Sequence, residues 1–221
     1  NGGDYLVLGG GSNILFTKDF DGDVLIMENK GISTTPDAED IDLVKCGAGE
    51  IWDELVSFTI DNGLGGLENL VMIPGKVGAS PIQNIGAYGV EMKDHFFQLE
   101  AIERFSGKTY YFGKDDCDFG YRDSIFKRKY HNQFIITNVA FRLSRRPYLQ
   151  TAYGAVQAEL KRLKFYRPTI RDVAVAVRNI RTSKLPDPGE LGNAGSFFKN
   201  PVVSREEYEA LKGKYTTVPG Y

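Results

Sequence analysis

Histidine, cysteine and net charge are all scarce in this chain. Two histidines and two cysteines occur in 221 residues, and the formal net charge is -2. Cys46 and Cys117 lie far apart and form no CxxC pair, and His95 and His131 add too little to build a cysteine/histidine metal site, so no metal is expected. So few cysteines argue against a disulfide framework and for a reducing compartment, which makes the cytoplasm the expected location. No apolar run approaches the ~20 residues that cross a bilayer, and no basic-then-apolar leader opens the chain, so no membrane partner is expected. A slightly acidic whole argues against nucleic acid as a partner. Neither GxGxxG nor GxxxxGK occurs among the glycine clusters, which removes the usual dinucleotide and P-loop fingerprints. No methionine starts the chain, which runs almost directly into YLVL and stops at VPGY, so it reads as a piece of a longer protein.

What is present is an ordinary globular composition, 42% hydrophobic and 25% charged. YLVL (5–8) and DVLIM (23–27) read as buried strands, LVKCGAG (43–49) as a third strand and NQFIITNVAFRL (132–143) as another. FFQLEAIERFSGKTYYFG (96–113) reads as a hairpin turning at Ser106-Gly107-Lys108. EIWDELVSFTIDNG predicts an amphipathic helix with Ile51, Leu55, Val56 and Phe58 on one side. A second helix has Thr169 as cap and Ile170, Val173, Val177 and Ile180 as its apolar stripe. Ser204 with Glu207 forms a capping box for a last helix ending near Gly213. Strands and helices mix without strict βαβ alternation, so the fold class expected is α+β. A domain boundary is expected in LPDPG, dividing 1–185 from 186–221. Between Arg142 and Lys184 basic residues greatly outnumber acids, which is a solvated face or suits an anionic ligand such as a nucleotide diphosphate.

Three stretches carry chemistry. LGGGSN (8–13) follows a strand; Gly9, Gly10 and Gly11 can turn their N–H groups onto one anion, and Ser12 and Asn13 add side-chain donors. Taken alone it is more often a plain tight turn. IPGKVGASPIQNIGAYG (73–89) is too long and glycine-rich to order cheaply unless it wraps something, and its Gln83-Asn84 pair can donate and accept as the pyrimidine edge of a flavin requires. CDFGYRDSIFK (117–127) sets Arg122 beside Asp123, a carboxylate able to orient a guanidinium that matches a substrate carboxylate. Ser196, between a glycine hinge and two phenylalanines in GNAGSFFKNP (192–201), is a turn residue or a positioned proton donor.

In this order and spacing, GGGSN, IPGKVGASPIQNIGAYG, GYRDSIFK, RTSKLPDP and GNAGSFFKNP resemble the UDP-N-acetylenolpyruvoylglucosamine reductase family over nearly the whole chain. The resemblance implies an FAD-binding α+β domain of the vanillyl-alcohol-oxidase type, followed by the start of a substrate domain. It implies noncovalent FAD, reduced by NADPH, and UDP-N-acetylglucosamine enolpyruvate as the small-molecule substrate. Cofactor contacts fall on Gly9, Gly10, Gly11, Ser12, Asn13, Gly78, Ala79, Ser80, Gln83, Asn84 and Gly86. By the same resemblance Ser196 donates a proton to carbon and Arg122 stabilises developing charge. Tyr121, Tyr153 (in TAYG), Lys184 and Asn200 then face substrate or NADPH. The family's second catalytic acid, a glutamate near its C-terminus, has no assignable counterpart in these 221 residues.

Overall fold

A computed structural model describes residues 5–187, 189–191, 198–218 and 220. Its centre is a five-stranded antiparallel sheet of β3 (Ile32–Ala38), β4 (Ile41–Gly47), β7 (Phe96–Glu103), β8 (Thr109–Gly113) and β9 (Phe134–Ser144). The spatial order is β3-β4-β9-β7-β8, so the long strand β9 lies in the middle. Alternation sets the faces: Val44 and Cys46 of β4 and Val139, Phe141 and Leu143 of β9 turn into the core. A separate parallel pair, β1 (Tyr5–Leu8) and β2 (Asp23–Ile26), runs beside it, and a small hairpin is made by β5 (Gly86–Ala87) and β6 (Val90–Glu91). β2 is exposed along its length, where a buried strand was expected.

Helix α1 (Trp52–Asp61) buries Trp52, Leu55, Val56 and Ile60. Trp52 meets Phe141 of β9 edge-on at 5.8 Å and donates its indole N–H to the Leu70 carbonyl at 2.9 Å. Ile51, expected on the buried side, is 43% exposed because the helix begins one residue later and rotates Trp52 inward. Helix α3 (Ile170–Lys184) carries the expected cap, with Thr169 and Asp172 satisfying each other's backbone N–H, and buries Val173, Val177 and Ile180. It packs on α2 (Gly154–Arg162) and on the short 3₁₀ turn Glu68–Leu70. Helix α4 (Arg205–Lys214) has the Ser204/Glu207 box and no buried residue.

The α+β class is therefore the observed one. The β5–β6 hairpin, β3 and α2 were not legible. β3 contains Pro36, which an edge strand tolerates and a central one does not, and nearly all of it is exposed. α2 starts from Tyr153 with no side-chain cap, so no start signal marks it. Among the described residues no helix is long and apolar enough to cross a membrane, and no group of His, Cys, Asp or Glu is placed to hold a metal ion.

Candidate active site

The glycine loop after β1 and the segment 73–86 face each other across a cleft of about 320 Å³. A Cβ built on Gly10 would lie 3.2 Å from the Gly75 Cα, and Gly75 itself has φ +109°, so the two backbones approach in a way that side chains would prevent. The Asn13 amide donates to the Gln83 Oε1 at 3.1 Å and ties the loops at the lip. Lys76 anchors the same segment to the exit of β2, donating to the Met27 carbonyl at 2.5 Å and pairing with Glu28. Among the described residues, the N–H groups of Gly10, Gly11 and Ser12 donate no hydrogen bond. They are donors open to water or to a ligand in the cleft.

The wall collects most of the residues expected from the sequence: Gly9, Gly10, Gly11, Ser12, Asn13, Ala79, Ser80, Gln83, Gly86 and Arg122. A second cavity of about 650 Å³ lies between β1 and the main sheet, lined by Gly78, Ile82, Phe126, Tyr130 and Ile136 among others. Gly9 and Ala79 border both spaces, so the two meet at the glycine loop. Asn84 differs from its neighbours. Its side chain is fully buried, donating to the Gly120 carbonyl at 2.9 Å and accepting from the Lys93 N–H at 3.1 Å, so it braces two loops instead of facing the cleft. The Ser80 hydroxyl is likewise used inside, donating to the Val77 carbonyl at 2.7 Å.

Arg122 occupies a corner of the tight turn Gly120–Asp123 at φ +53°, a region that non-glycine residues seldom adopt. Strain of this kind collects at functional sites. Its guanidinium donates to the Gly86 carbonyl and, at 3.4 Å, to the Asn84 carbonyl, which aims it along the cleft wall. Asp123 does not orient it: that carboxylate pairs with Arg128, because the tight turn sends neighbouring side chains apart. Arg181, the first residue of RTSKLPDP and near the end of α3, is a cleft residue to which sequence reading assigns no individual role. Its Nη2 donates to the Met72 carbonyl at 2.9 Å, and its Nε has no partner among the described residues. Neither Arg122 nor Arg181 is neutralised by a carboxylate among the described residues, so the cleft carries positive charge.

At the mouth, the Tyr121 ring is flanked by the Arg122 guanidinium at 5.3 Å and the Lys199 ammonium at 5.5 Å. That contact brings the segment carrying Asn200, itself exposed, to the same side of the molecule. Lys184 is the exposed last residue of α3, next to the cleft residue Leu185. Tyr153 stands outside the cleft wall at the start of α2, its ring edge-on to Tyr88 at 5.5 Å. Ser196 lies outside the described residues. Burial pushes the Cys46 and Cys117 thiols up to about 12, so both stay protonated and inert at neutral pH. Burial also pushes His95 below its usual value.

The FAD binding domain family matches residues 1–111. Curated relatives named UDP-N-acetylenolpyruvoylglucosamine reductase include those of Flavobacterium johnsoniae, 47% identical over 97% of this chain, and Burkholderia multivorans, 49% identical over 98%. The chain spans 64% and 63% of the length of those two relatives. Among solved structures, the UDP-N-acetylenolpyruvylglucosamine reductase of Thermus caldophilus superposes with a TM-score of 0.63 at 26% identity, covering 95% of this chain and 67% of that one.

Proposed function

Because this chain belongs to the FAD binding domain family, we propose that it is the cofactor-binding part of a UDP-N-acetylenolpyruvoylglucosamine reductase. Noncovalent FAD would be held by the cleft and the adjoining cavity. The observation that carries the reading is the row of unused N–H groups at Gly10, Gly11 and Ser12, which line the first cavity next to Gly9, a residue bordering both, and opposite a second glycine-rich segment. A diphosphate at that junction would take those donors, while each cavity received one end of an elongated dinucleotide. The unneutralised arginines on the wall suit the same anion and an anionic substrate.

When bound, FAD would supply the redox chemistry, the passage of hydride from NADPH to the enolpyruvyl double bond of UDP-N-acetylglucosamine enolpyruvate. The chain's residues then have separable tasks. Hydride arriving on the terminal carbon leaves negative charge on the adjacent carbon and its carboxylate. Arg122, aimed by the Asn84 and Gly86 carbonyls, would stabilise that charge as it grows. Ser196 would give its hydroxyl proton to the carbon, completing UDP-N-acetylmuramate, and solvent would restore the proton. An enolate conjugated to a carboxylate is basic enough to take a proton from an alcohol. Tyr121, Tyr153, Lys184 and Asn200 would contact substrate or NADPH, and 186–221 would open the substrate domain. Reduction of this precursor for peptidoglycan takes place in the cytoplasm.

The test is made on the full-length protein. Heat precipitation should release FAD into the supernatant, and NADPH should bleach the bound flavin anaerobically. Colour retained by the precipitate, or a flavin indifferent to NADPH, contradicts the proposal.

A further inference from the structure

The β5–β6 hairpin turns through Tyr88 and Gly89, at φ +51° and +83°. Two positive φ values at the corners of a two-residue loop form the type I′ pattern, whose first corner prefers asparagine, aspartate or glycine. Tyrosine there is locally unfavourable. The surroundings show what holds it. Its ring packs edge-on against Tyr153 at 5.5 Å and 86°, and a Cβ on Gly89 would lie 4.0 Å from the Tyr153 Cβ. Beneath the pair, the buried Asn69 amide donates both to the Tyr88 carbonyl at 3.0 Å and to the Gln150 carbonyl at 2.8 Å. One side chain thus fixes the hairpin tip and the segment leading to Tyr153. Burial pushes the Tyr88 hydroxyl above its usual value, opposed by the Arg181 guanidinium of the cleft wall.

We propose that Tyr88 is a positioning residue for Tyr153: held in a strained corner by Asn69, it fixes the Tyr153 ring just outside the cleft wall. The inference rests on the reading of Tyr153 as a substrate contact. It explains why a bulky ring occupies a corner where asparagine is at ease.

Tyr88→Asn removes the ring while suiting the turn, so the hairpin should form at least as readily and misfolding does not cloud the result. In the full-length enzyme, KM for the enolpyruvyl sugar should rise roughly two- to tenfold, the range an aromatic pair spans. Turnover and flavin content should stay near the parental values, since only a placement shared by ground and transition states is lost. Tyr153→Ala should raise KM further, and adding Tyr88→Asn to it should change nothing more. If Tyr153→Ala raises KM and Tyr88→Asn leaves it at the parental value, Tyr88 positions nothing and the inference falls alone. If Tyr153→Ala itself has no effect, the reading of Tyr153 as a substrate contact fails and the inference falls with it.

Discussion

Gly78→Ala separates the structural from the ligand-facing glycines. Gly78 belongs to the 3₁₀ turn Val77–Ala79, which packs against the link between β4 and α1. A Cβ there would stand 2.5 Å from the Ala48 Cβ and 3.2 Å from the Ala48 Cα and carbonyl oxygen. Ordinary carbon contacts are about 3.5–4.0 Å, so the overlap is near 1 Å against neighbours that include backbone. Forcing a methyl into a packed interior costs about 1–3 kcal/mol. For a chain of this size that lowers Tm by roughly 2–12 °C. Gly9 provides the contrast, because a Cβ there would meet nothing closer than 3.7 Å yet would project where the two cavities join. Gly9→Ala should keep the parental Tm without ligand and weaken FAD binding. Melts followed by circular dichroism, with and without saturating FAD, measure both effects. Adding Ala48→Gly to Gly78→Ala should recover part of the loss by removing the worst contact. A Gly78→Ala protein that melts at the parental temperature would refute this packing argument.

Three further outcomes follow from the same geometry. Arg122→Lys keeps the charge but cannot reach two carbonyls and a carboxylate with one planar fork, so turnover at saturating substrate should fall at least tenfold; near-normal turnover would make the residue structural. Ser196→Ala should spare flavin reduction by NADPH and slow reoxidation by the enolpyruvyl sugar about a hundredfold or more, with cysteine restoring part, as resolved by stopped-flow absorbance. Glu68 is buried and its carboxyl is pushed above the usual value by that burial, against the Gly66 N–H that it accepts. A raised carboxyl favours the folded state below the unfolded pKa of 4.5 and loses that contribution as pH rises through the folded value. Glu68→Gln should therefore gain stability relative to the parent from pH 4 to pH 7 in urea titrations; a difference independent of pH would refute the assignment.

The glycine-rich stretches were legible because positive φ and close backbone approach demand a residue type that the sequence displays, and the structure does bring 9–13 and 73–86 together. The helix caps at Thr169 and Ser204 were legible for a similar reason: a local hydrogen-bond pair leaves a local signature. Roles set by distant partners were not. An amide aimed at a ligand and one bracing two loops look alike in sequence, and only the fold shows that the Asn84 side chain bonds Gly120 and Lys93. Adjacency made Asp123 the expected partner of Arg122, whereas the turn at Gly120–Asp123 gives Asp123 to Arg128. Arg181 opens the RTSKLPDP stretch, but it reaches the cleft because α3 ends beside it, a tertiary fact that the stretch does not spell out.

The most direct test of the central claim is anaerobic reoxidation of the NADPH-reduced full-length protein by UDP-N-acetylglucosamine enolpyruvate. The account predicts that the visible flavin absorbance returns with one equivalent of the sugar and that UDP-N-acetylmuramate appears in the same amount. Flavin that stays bleached with the sugar, yet reoxidises when oxygen is admitted, would contradict it.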